Sequence, residues 1–182
     1  MRWIVVSIAC LIWARPAVAH DLERTFVSLT FAADGAFVLD VSNDPDWLLL
    51  RLEPFAVELP AGRIPPPPAW TGSPTPEARH ARLRELAPAF VDRVVLFVDG
   101  REIRSASVEY LPDRAGSAGS IDTSRPPLVT YRLLGRMPAD VHVLRWYYGL
   151  VVDPYPLTIH RADGRSLTEW IVRATRGRAP ST

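Results

Sequence analysis

Lysine is absent from the 182-residue chain, whose basic side chains apart from four histidines are all arginine, and cysteine occurs once, at Cys10. The first absence excludes a Schiff-base lysine, a phosphate-loop lysine and a lysine general base. The second leaves a single thiol inside an N-terminal segment that the sequence predicts is removed. The mature chain is therefore expected to lack disulfides, a thiolate nucleophile and any cysteine metal site. No second apolar run is long enough to cross a membrane. Hydrolytic signatures are missing too. Gly116-Ser117-Ala118-Gly119 is not the G-x-S-x-G elbow and sits in a loop-like stretch with no strand leading sharply into a helix. Isolated carboxylates cannot be paired into an acid and a base without distances between them.

What is present begins at the N-terminus. Met1-Arg2 precedes the apolar run Trp3 to Trp13, Arg15-Pro16 breaks it, and Ala17-Val18-Ala19 has the small-x-small form that signal peptidase cuts after. Residues 1–19 are predicted to be a signal peptide, and 20–182 a single extracytoplasmic domain, periplasmic or secreted. The alternative, an uncleaved anchor, fits less well because the run is short and a cleavage pattern follows it. The formal charge of +1 counts 21 basic against 20 acidic residues. Loss of Arg2 and Arg15 with the signal makes the mature balance about −1, which promises no basic face for nucleic acid.

Three Asp-Gly pairs, Asp34-Gly35, Asp99-Gly100 and Asp163-Gly164, lie beside strand-like sequence and predict three β-hairpins. In the first, Val27, Leu29 and Phe31 share one face and Phe37, Leu39 and Val41 share one face of the returning strand. A further pair of strands is expected at Leu128 to Leu134 and Val141 to Tyr148, joined through Gly135-Arg136-Met137-Pro138. Helix signals are fewer. Asn43 or Asp44 can cap a helix with Pro45 in its first turn, stopped by Pro54. Thr75-Pro76-Glu77 opens a second, which Pro88 kinks or ends. Ile64 to Trp70, with four consecutive prolines, reads as an extended connector more readily than as a partner's ligand. No linker divides two cores. The fold class is mainly β, an antiparallel β-sandwich with one or two short helical insertions.

Cleavage after Ala19 would give His20 a free amine beside its imidazole, half of a copper-binding histidine brace. His142 and His160 flank the turn Gly149 to Tyr155, so antiparallel pairing about it would place them on neighbouring strands and complete a copper or nickel site from His20, His142 and His160. The plainer reading makes His20 a terminal residue, His142 a partly buried strand residue, and His160 and His80 solvated. Asp40 to Asp46 gathers oxygen ligands, but without the spacing, glycine and closing glutamate of an EF-hand it reads as capping and turn formation. Trp146-Tyr147-Tyr148 with Tyr155 and Trp170 could form a platform for a protein, a sugar or a membrane interface. Alternation sends Trp146 and Tyr148 to one face and Tyr147 to the other, which favours core packing for one of them.

The run Gly135-Arg136-Met137-Pro138, Leu144 to Leu150, Tyr155-Pro156-Leu157-Thr158 and Glu169-Trp170, together with Ala19-His20-Asp21 after the signal, resembles the extracytoplasmic β-rich region that precedes the membrane part of HupE/UreJ-type proteins. That resemblance implies a role near nickel or cobalt uptake or in envelope metal homeostasis. The permease helices of that family have no counterpart here, so no transport residues carry over, and a separately encoded membrane-protein partner is implied. Three readings stand. The first is a non-catalytic exported accessory or binding domain. The second is a copper- or nickel-binding protein using His20, and the third a hydrolase.

Overall fold

Alternation dictates the first hairpin, and the computed structural model, which describes residues 24–57, 62, 64–69, 72–112, 127–138, 141–151 and 153–172, follows it. Strands β1 (Thr25–Phe31) and β2 (Ala36–Asn43) pair antiparallel about Asp34-Gly35. Helices α1 (Pro45–Ala56), α2 (Pro76–Glu85) and α3 (Ala87–Val91) come next, then β3 (Val94–Val98), β4 (Arg101–Ile103) and β5 (Ser107–Leu111). The chain closes with β6 (Val129–Arg136), β7 (Leu144–Tyr148), β8 (Tyr155–His160) and β9 (Ser166–Ile171). Six strands form one sheet in the order β5-β6-β2-β1-β8-β9, and three form a second in the order β4-β3-β7. The protein is mainly β, with two sheets and three short helices.

The three Asp-Gly hairpins are present as β1-β2, β3-β4 and β8-β9. At the second, Asp99 and Gly100 take φ of 48° and 81°. Positive φ at both central residues is what a type I′ turn needs, and Asp-Gly adopts it at low cost. One face of the large sheet is sealed over β6, β2, β1 and β8, while β9 is exposed on both sides. Val27, Leu29, Leu39, Val41, Tyr131 and Leu133 are buried there in one cluster with Leu48 and Leu52 of α1, Leu83 of α2, and Leu86 and Phe90 at the start and end of α3. Each such side chain contributes roughly 1.5–3 kcal/mol. Phe90 stacks on Tyr131 with ring centroids 4.1 Å apart and meets Tyr148 edge-on at 5.9 Å, so α3 joins the two sheets. Asn43, fully buried at the end of β2, adds a polar tie: its Oδ1 accepts from Thr25 Oγ1 at 2.9 Å and from Tyr148 Oη at 3.2 Å.

Several expectations need correction. One ladder, β1 with β8, is parallel. The strands expected to pair across Gly135 to Pro138 do not, because β5 and β2 take both edges of β6. β7 instead takes the free edge of β3, and β7 and β8 lie in different sheets. The segment from Gly149 to Tyr155 is thus a crossover between sheets, and His142 and His160 are not on neighbouring strands. Helix α1 runs past Pro54 to Ala56, losing one backbone bond close to its C-terminus. Pro88 starts a helix of its own. Leu86 ends α2 and opens α3, whose first turn tolerates a proline without an N–H, so the second predicted helix is two short ones and the described residues hold three. Asp44 is the cap of α1, accepting from Asp46 N and Trp47 N, and Thr75 that of α2. Among the described residues no helix is long and apolar enough to cross a membrane. The predicted signal peptide lies outside the described residues.

Gly135 shows how tightly the sealed face is packed. It lies opposite Phe37, and a Cβ added there would meet the Phe37 ring at 2.4 Å. Phe37 is only 2% exposed, so the ring has nowhere to go. Gly135→Ala is expected to lower stability by about 2 kcal/mol through overpacking, read as a lower midpoint in a thermal melt. An unchanged midpoint would mean that the ring yields freely.

Candidate functional site: the outer face of the large sheet

The same alternation that buries Val27 and Leu29 turns Phe26, Ser28 and Thr30 outward. Strand registers extend these residues into three rows across the sheet. In the middle row, Glu109, Arg132, Asp40, Ser28, Thr158 and Thr168 stand side by side on β5, β6, β2, β1, β8 and β9. On one side run Thr130, Ser42 and Phe26, continued by Pro156 and Trp170. On the other run Leu134, Val38, Thr30, His160 and Ser166. An open trough of about 800 Å³ lies on this face, lined by apolar Phe26, Val38 and Leu134 as well as by Asp40, Arg132 and Thr158. That lies within the ~300–1,000 Å³ usual for small-molecule sites. By register Trp170 stands beyond Pro156, on the free-edge strand.

The three rows carry one arginine, Arg132, two carboxylates, Asp40 and Glu109, and many hydroxyls. Arg132 donates from Nε and Nη2 to the two oxygens of Asp40 at 2.8 and 2.9 Å, a bidentate pair. The bond to Asp40 holds the Arg132 guanidinium above its ordinary pKa. Ser42 and Thr130 share a hydroxyl bond of 2.7 Å, Thr158 and Thr168 one of 3.0 Å, and His160 Nδ1 lies 2.8 Å from Ser166 Oγ. A hydroxyl carries one donor and two acceptor positions, so the exposed Thr158–Thr168 and His160–Ser166 pairs keep capacity for a ligand after their internal bonds are made, whereas Thr130 is fully buried. On the same face Phe26 is 50% and Trp170 67% exposed.

Of the residues expected to ligate a metal, two are described, and different sheets position them. His20 lies outside the described residues. His142 precedes β7 beside the β3-β4 turn, its Nδ1 3.7 Å from Asp99 Oδ2. The Val143 amide, donating to Asp99, holds that carboxyl below its ordinary pKa. His160 is on the outer face, and the Nδ1 of His80 lies 2.6 Å from Tyr110 Oη. Among the described residues no group of three histidines, cysteines or carboxylates is placed to hold a metal ion. The acidic run Asp40 to Asp46 is dispersed among arginines. Asp40 pairs with Arg132, Asp44 with Arg24 and Asp46 with Arg79.

The aromatic group also divides. Tyr148 is buried, and Trp146 Nε1 donates to Tyr155 Oη at 2.6 Å. Burial pushes the Tyr155 phenol up to about 12. Tyr147 points away, exposed on the small sheet, as alternation requires. Trp170 alone joins the trough face, and its neighbour there, Phe26, was not singled out by the sequence reading. The signal was available, since a phenylalanine out of phase with Val27, Leu29 and Phe31 must face outward. Compared with family models, with curated proteins and with solved structures, the chain has no match.

Proposed function

We propose that the chain is an exported, non-catalytic binding or accessory domain of the cell envelope, and that it works through the outer face of the six-stranded sheet. One observation carries this reading: continuing the β1-β8 register one residue back from Val27–Leu157 sets the half-buried Pro156 between two exposed aromatics, Phe26 on β1 and Trp170 on β9, on the face turned away from the core. Single exposed apolar side chains need no explanation, but two aromatics in one row, beside a trough that also bares Val38, Leu128 and Leu134, mark a contact surface. The non-catalytic part is supported by the acidic groups of the face. Asp40 commits both oxygens to Arg132, which stands between it and Glu109, so the pair offers no free acid facing a base. The HupE/UreJ resemblance suggests the context, envelope metal homeostasis beside a membrane partner.

Hydroxyl-radical footprinting of the exported chain in intact envelopes, compared with the purified protein, tests this reading without knowledge of the ligand. Phe26 and Trp170 are expected to be protected in the envelope while Tyr147 reacts equally in both. Equal reactivity of Trp170 in the two states would overturn it.

A further inference from the structure

We propose that the ligand of this face is a neutral glycan chain, a class that rests on the reading of the face as a binding surface. Three features of the face point to it. Phe26 and Trp170 sit two strand intervals apart, ~9.5 Å, with Pro156 between them. Apolar side chains in a row at that spacing offer consecutive flat surfaces on which the C–H faces of pyranose rings can lie. One row along each strand, ~7 Å away, stand Ser28, Thr158, Thr168 and the Asp40–Arg132 pair. These groups both donate and accept, as sugar hydroxyls do. The trough is open at its surface and is lined from β5 across β6, β2 and β1 to β8, with Trp170 beyond its end on β9, a length that a chain can follow.

Other occupants meet obstacles on the same face. A polyanion would need cations, and Arg132 is held by Asp40 with Glu109 at its other side. A metal ion would need a ligand cluster, and none is present among the described residues. A second copy of the chain would need ~800 Å² from each partner. The exposed parts of Phe26 and Trp170 supply ~200–300 Å² of this, so most of such an interface would have to come from the hydroxyl and charged rows beside them. A hydroxylated, chain-like ligand without negative charge matches the aromatic row, the hydroxyl pairs and the excess of carboxylate over arginine together.

The test is calorimetric titration of the full mature chain with two soluble oligosaccharides, cellotetraose and chitotetraose. At least one is expected to bind, with Trp170→Ala and Phe26→Ala each weakening binding tenfold or more. Tyr147→Ala, on the small sheet, should leave the affinity unchanged. Both aromatic substitutions are at exposed positions, and unchanged thermal midpoints will show that the fold is kept. Binding that survives Trp170→Ala and Phe26→Ala overturns the proposal. No binding of either sugar, with Trp170 still protected in envelopes, overturns the glycan and leaves the binding face standing. No binding and no protection overturns both.

Discussion

Arg82→Ala is expected to lower the unfolding free energy by about 3 kcal/mol, the lower end of what breaking a buried ion pair costs. The guanidinium, on α2, is 2% exposed. It donates from Nε and Nη2 to the two oxygens of Glu53 on α1 at 2.7 and 2.8 Å, and from Nη1 to Glu85 and to the Pro65 carbonyl, each at 2.9 Å. One side chain therefore fastens two helices and the proline tract, and the bond to Glu53 raises the guanidinium pKa further. Removing it leaves two carboxylates and a carbonyl without their donor. The value falls at the low end because Glu53 and Glu85 retain contact with water. In a chain of this length the thermal midpoint should drop by ~6–12 °C. Arg82→Lys should recover only part of the loss, since an ammonium keeps the charge but not the planar fork. A midpoint within a degree of the parent for Arg82→Ala would show that the helices are held by apolar contacts alone.

Leu39→Ala is expected to cost about 3–4 kcal/mol. Leu39 is fully buried in β2, which is bordered by β1 and β6, so both neighbouring strands hold the backbone in place and limit collapse around the hole. Denaturant titration reads the effect as a lower midpoint at unchanged slope. Leu50→Ala supplies the contrast. It removes the same atoms from a side chain 73% exposed on α1, and should change stability by less than about 0.5 kcal/mol. Similar losses at both positions would contradict the assignment of the inner face as the core.

Much of this architecture is legible in local pattern. The Asp-Gly turns fix three hairpins because positive φ is a property of one or two residues. The period of two in Val27-Leu29 and Leu39-Val41 identifies the core face directly, and the caps at Asp44 and Thr75 follow from the residue types. Pairing between distant strands is not local. Nothing within β6 or β7 says that β6 already has two partners, which is why the expected hairpin across Gly135 to Pro138 is not formed. The parallel β1-β8 ladder likewise depends on a segment more than a hundred residues away. The site shares this division. That Phe26 faces outward can be read from β1 alone, but that it stands beside Pro156 and Trp170 depends on the register of three strands. Asp40 looks like one of several loose acidic residues until the antiparallel β2-β6 register sets Arg132 against it.

The central claim is that the outer face of the large sheet is where the molecule meets its ligand, and the tryptophans make this directly observable. Trp47 is buried on α1, Trp146 is bonded to Tyr155, and Trp170 is exposed on the outer face. A fluorine NMR spectrum of the chain labelled with fluorotryptophan, assigned with a Trp170→Phe variant, should be recorded as whichever of cellotetraose and chitotetraose binds in the calorimeter is added. The account predicts that the Trp170 signal moves while those of Trp47 and Trp146 stay. Movement of Trp47 or Trp146 with Trp170 unchanged would place the contact elsewhere and contradict it.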